Sequence, residues 1–225
     1  MVLQILNKRY SEGSIAVSTT SIGKAKKDDK EKKMGTNKFD NLQRVTFESI
    51  RQKIKPTDLF FASGNYTVSR MIRQFSDSLF SHVGFVLTWD ARIILFESVE
   101  DDGVRAVPLS QYVNNYENTG AAYDGRLFLA RFSPTIDDTA TTQILGQGTD
   151  LLNRKYNKEE IAEILARMAL NVGHYEASDS YICSEYVDVC FKAGDIIFPR
   201  AIGGFIYPEQ IAADPRVIPL WEIIG

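Results

Sequence analysis

Ser81–Thr88 (SHVGFVLT) and Arg92–Val99 (RIILFESV), two apolar runs around Trp89-Asp90-Ala91, decide how this chain folds. β-Branched and aromatic residues dominate both runs, and the short break between them reads as a hairpin turn. A two-residue loop at Asp90-Ala91 sets Trp89 opposite Arg92, and the rest of the ladder follows from that pairing. Val83 then meets Ser98, Phe85 meets Phe96 and Leu87 meets Ile94, a largely apolar side expected to face the core. On the other side His82 meets Val99, Gly84 meets Glu97 and Val86 meets Leu95. His82 and Glu97 become diagonal neighbours, and Gly84 leaves room for the carboxylate to lean toward the imidazole. A three-residue loop would flip the parity and separate them.

Further strands are expected at Asp58–Ala62, Val104–Val107 and Arg126–Phe132, with Val217–Ile224 as a closing strand. Helical spacing of apolar residues covers Val68–Phe75, Ile136–Leu152 and Lys158–Leu170, the last behind Asn157 as a cap. Ser178-Asp179-Ser180 precedes a helix over Tyr181–Lys192 that Gly194 stops, and Pro208 opens a short helix at PEQIAA. A mostly antiparallel set of strands followed by helices is the α+β plan: a small antiparallel sheet packed against helices.

The chain has 225 residues, 44% hydrophobic and 24% charged, which suits one buried core with an appendage. A formal net charge of -3 gives no footing for nucleic acid. Charge is concentrated in Lys24–Lys33 (KAKKDDKEKK), a solvated run. Residues 1–43 read as a charged N-terminal arm, a candidate docking element for a partner, and residues 44–225 as the folded domain. No apolar stretch is long enough to span a bilayer and no secretory plan opens the chain, so a cytoplasmic location is expected. Oligomeric state has no signal in these residues.

Two cysteines and two histidines limit the chemistry. Cys183 lies where a helix begins, in Tyr181-Ile182-Cys183-Ser184-Glu185-Tyr186. The positive end of a helix favours a thiolate, which makes Cys183 a candidate nucleophile and His82 its candidate base. Alone, either residue is more often a core residue than a catalyst. Glu97 joins them, because a carboxylate inside the apolar run LFESV is costly unless paired. Paired with His82 it would fix the tautomer and stabilise the imidazolium. Cys190, seven residues on, reads as core. On one helix the two sulfurs stand about 10 Å apart along the axis, too far for a disulfide, and free thiols fit a reducing compartment. His174 is a rival base without a strand or an orienting acid. No metal-ligand spacing, phosphate loop or dinucleotide fingerprint occurs, so neither metal nor cofactor is expected.

The segments FSHVGFVL, FES, KYN, YICSEYV and IYPEQIA together resemble the permuted papain-like cysteine hydrolases of the NlpC superfamily, YiiX/YebB-like branch, over about residues 56–215. The resemblance implies a circularly permuted papain-like fold with Cys183 as nucleophile, His82 as base and Glu97 as orienting residue. It also implies Tyr156 as a pocket residue and brings in Glu185, from the Cys-Ser-Glu match, as a second substrate-side residue. Asn157 stands where the family often has aspartate. The implied activity is thiol hydrolysis of an amide, of peptide, peptidoglycan-stem or lipid-amide type. The related lipid acyltransferases carry a second histidine and an Asn-Cys-Glu-His-Phe segment, which this chain replaces with Glu97 and Ile182–Tyr186. A non-catalytic or virion-associated module that kept the fold is the other alternative. Specificity is expected in the loop Tyr112–Tyr123.

Overall fold

The computed structural model describes residues 35–156, 181–201 and 204–225. The expected helix at 158–170 with its cap Asn157, the rival base His174, the segment Ser178–Ser180 and residues 1–34 of the arm lie outside the described residues.

The described strands are β1 (Arg44–Thr46), β2 (Leu59–Gly64), β3 (His82–Trp89), β4 (Arg92–Val99), β5 (Gly103–Pro108), β6 (Gly125–Phe132) and β7 (Val217–Ile224). The helices are α1 (Phe47–Ile50), α2 (Thr67–Phe75), α3 (Ser110–Asn114), α4 (Asp138–Asp150), α5 (Cys183–Ala193) and α6 (Pro208–Ala213). One seven-stranded sheet runs in the order β1-β7-β6-β2-β3-β4-β5. All neighbours are antiparallel except the edge pair β1–β7, which is parallel. The α+β class stands. The sheet has one strand more than expected, because β1 pairs with the closing strand β7 and extends that edge.

The decisive hairpin has the expected register: Phe85 faces Phe96, Leu87 faces Ile94 and Trp89 faces Arg92. Asp90 takes a left-handed φ of 53° at the turn, a conformation that aspartate tolerates better than most residues. β5 continues from β4 through a three-residue loop that closes at Gly103, with Val99 paired to Gly103 and Glu97 to Arg105. Gly103 has φ +72°, and a β-carbon there would lie 2.1 Å from the Arg154 carbonyl oxygen, so no side chain fits. Farther along, Pro219 in β7 sits at the one register shift, between Leu129 and Ala130 of β6, where a strand tolerates a missing N–H.

Only one side of the hairpin was expected to face a core; both do. Val83, Phe85 and Phe96 join Phe61, Phe128, Tyr186, Val187 and Phe191 beneath α5. Val86 and Leu95 join a second apolar layer with Phe60, Leu129, Phe47, Ile50 and Tyr112. Burial on both faces removes the polar alternation that an open sheet shows, and β2 is buried at every position. Phe39, within the expected arm, is fully buried against Phe61, Phe80 and Phe128, so residues around it pack on the core.

Candidate active site

His82 opens β3 and is paired with Ala62 of β2. Ser81 just before it is buried: its N–H donates to the Ala62 carbonyl at 2.9 Å, and its hydroxyl accepts from the Gly64 N–H at 3.1 Å. That pins the strand start and with it the imidazole. Parity puts His82 on the face of Phe60 and Glu97, whereas Cys183 packs in the layer of Val83 and Phe85. Ring and thiol therefore come to one cavity at the start of the strand, where a side chain can serve both layers. Nε2 of His82 stands 2.8 Å from Oε2 of Glu97, which leaves Nδ1 uncommitted to the carboxylate, and Cys183 lines the same cavity as the ring, close enough to raise the imidazole pKa.

Cys183 is the first residue of α5, and the hairpin that carries His82 and Glu97 also fixes this helix start. The Ser98 hydroxyl donates to the Tyr181 carbonyl at 2.6 Å, two residues before the cysteine. Ser184 donates to the Ile206 carbonyl at 2.8 Å. Glu185 accepts from the Ile182 backbone N–H at 3.3 Å, half of a capping box. Glu185 is only 1% exposed, and its Oε2 serves the helix start.

Glu97 is completely buried, and three donors meet its two oxygens. Oε2 takes His82 Nε2 and the Tyr112 hydroxyl at 2.7 Å; Oε1 takes Arg105 Nε at 2.8 Å. Burial opposes the carboxylate's charge, yet His82, Arg105 and Tyr112 together hold its pKa below the ordinary glutamate value. Burial likewise opposes the imidazolium, and the hydrogen bonds and charges of Cys183 and Glu97 outweigh it, so the His82 pKa is pushed up to about 10.

Arg105 and Tyr112 are the two residues that sequence reasoning missed. A three-residue β4–β5 loop ending in Gly103 sets Arg105 opposite Glu97, so its signal was present in the turn. Tyr112 belongs to the expected specificity loop; it is 2% exposed and packed at tilted angles within a tyrosine cluster, and nothing in local spacing announces its reach to Glu97. Cys190 is fully buried, and burial pushes its thiol pKa well up, as befits a core residue.

Cys183, His82, Arg105, Tyr112 and Tyr156 share one cavity of about 280 Å³. Tyr156 thus stands on the same wall as the thiol, beside Ile182 and Phe205.

Among solved structures, this chain is similar to the metalloprotein YiiX from Escherichia coli O157:H7, with a TM-score of 0.56 and 14% identity. The match covers 76% of this chain and 99% of YiiX. The fold is YiiX-like. At that identity the likeness speaks for the fold alone. No family model matches the chain, and no curated protein matches it.

Proposed function

We propose that this YiiX-like protein is a thiol hydrolase that attacks an acyl carbon, with Cys183 as nucleophile, His82 as base and Glu97 as the residue that orients the ring. The observation that carries the reading is the imidazole held at 2.8 Å by a buried carboxylate, with a cysteine at a helix N-terminus beside it on the same cavity. In the first half-reaction Nδ1 of His82 takes the thiol proton. The sulfur then bonds to the acyl carbon, and His82 returns the proton to the leaving amine or alcohol as that bond breaks. Water, deprotonated by the same imidazole, next bonds to the acyl carbon as the carbon–sulfur bond breaks, releasing the acid, and the imidazolium returns the proton to the Cys183 sulfur. Backbone N–H groups in the first turn of α5 would stabilise the developing oxyanion. An amide of peptide, peptidoglycan-stem or lipid-amide type is the proposed substrate, and the relation to permuted papain-like hydrolases of the NlpC superfamily belongs to the same proposal.

YiiX is described as a metalloprotein, and the described residues here do not fit a metal. Both Glu97 oxygens are committed to Arg105, Tyr112 and His82, and among the described residues no three His, Cys, Asp or Glu side chains converge. No step of the mechanism runs through one.

The test is alkylation by iodoacetamide across pH, read by peptide mass mapping, in the wild type and in His82→Ala. At pH 6.5 Cys183 is expected to react at least tenfold faster than Cys190, and His82→Ala to slow it by roughly tenfold or more. An inert Cys183, or one indifferent to His82, overturns the reading in favour of a binding module that kept the fold.

A further inference from the structure

We infer that Arg105 is a positioning residue for His82: by holding Glu97 through its guanidinium it keeps that carboxylate charged and aimed at the imidazole in both protonation states of the ring. The inference takes its chemical purpose from the thiol hydrolase reading, but its physics stands on the geometry alone.

Arg105 lies directly across the β4–β5 ladder from Glu97, so the contact is set by register rather than by a mobile side chain. Its Nε meets Oε1 at 2.8 Å, its Nη1 donates to Asp102 in the turn, and its side chain is 19% exposed. The other carboxylate oxygen, Oε2, is thereby left for His82 and the Tyr112 hydroxyl. These contacts divide the labour between two faces of one carboxylate.

The need for Arg105 follows from the proton cycle. While His82 is an imidazolium, it neutralises Glu97. When His82 has given its proton to a leaving group, a completely buried carboxylate would face only a neutral ring and a phenol. Such a group tends to take up a proton and would compete with the reaction for it. Arg105 is always charged and supplies the counter-ion at that stage. Its cost is a second cation near the ring, which tempers how strongly His82 holds its proton. In the thiolate form the site becomes an alternating line of thiolate, imidazolium, carboxylate and guanidinium.

The other groups that bear on the ring are Cys183 from α5, Glu97 from β4 and Tyr112 from α3, with Glu100, Asp101 and Glu117 farther out on the cavity wall. To remove the thiolate from the measurement, the experiment uses the full chain carrying Cys183→Ala. The chain has only two histidines, so imidazole NMR titration resolves His82, assigned by its loss in His82→Gln. In Arg105→Gln the His82 titration is expected to move up by about one pH unit, because a neighbouring cation is gone and Glu97 gives its charge to the ring alone. Arg105→Lys is expected to bring it back. A folded Arg105→Gln that titrates like its parent overturns the inference and leaves Arg105 as a tie to Asp102.

A second measurement keeps Arg105 in place, in case Arg105→Gln does not fold. In Cys183→Ala/His82→Gln the Glu97 carboxyl carbon is expected to stay ionised below the ordinary glutamate range. Titration of Glu97 at or above that range overturns the inference. Neither protein contains the nucleophile, so failure of the alkylation test leaves both results interpretable.

Discussion

A completely buried glutamate with three donors is the residue on which this site turns. The pH dependence of stability follows from it and its partner. His82 has its folded pKa above the free imidazole value of 6.5, so its contribution is fully present below pH 6.5 and is lost as pH rises through about 10. Glu97 has its folded pKa below the ordinary 4.5, so its contribution is present above 4.5 and is lost as pH falls through the lower value. Both are intact between pH 4.5 and 6.5. There His82→Gln is expected to cost about 3 kcal/mol, the order seen on breaking a buried pair. Urea unfolding of both proteins from pH 4 to 10 checks this. The difference should shrink toward alkaline pH, and a difference that grows there would contradict the raised imidazole.

At the scale of elements, the β3–β4 hairpin is the part that makes a site possible. Glycine at position 84 is required by close approach rather than by backbone angle. An added β-carbon would lie 2.7 Å from the Phe96 carbonyl oxygen, 2.8 Å from Leu95 Cδ1 and 3.4 Å from the Glu97 β-carbon. Gly84→Ala is therefore expected to destabilise the protein by about 1–3 kcal/mol through overpacking. It should also slow Cys183 alkylation, because the strand that yields is the one that carries Glu97. Chemical unfolding and alkylation rates on one preparation test both, and an unchanged unfolding midpoint would show that the hairpin has slack there. This hairpin was legible in the sequence because a two-residue turn leaves one register, and that register places His82 beside Glu97. The β4–β5 turn was legible in principle through Gly103, but its register was not followed across to Arg105. Tyr112 was not legible: α3 is five residues long, and its approach to Glu97 depends on how the tyrosine cluster packs.

For the whole molecule, two apolar layers rather than one sandwich the sheet, and each end of the described chain contributes. Phe39 packs edge-on against Phe61, Phe80 and Phe128 with ring centroids 5.4, 4.7 and 5.9 Å away. Phe39→Ala should cost about 3–5 kcal/mol in urea unfolding, as for a large cavity in a rigid core. A loss below about 1 kcal/mol would mean that the ring cluster closes without it. Among the described residues no helix is long and apolar enough to cross a membrane.

Local sequence determined the strands other than the short edge strand β1, the hairpin register and the neighbourhood of His82 and Glu97, because period-two patterning and turn length are short-range properties of the chain. It also marked Cys183 as the start of a helix. Only the tertiary structure decided that this helix start lies beside the start of β3, that Arg105 and Tyr112 complete the shell of Glu97, and that Glu185 turns inward to cap α5. Those contacts join residues whose distance in space is fixed by how layers pack. A buried charge accepts whichever donors the finished core brings within reach.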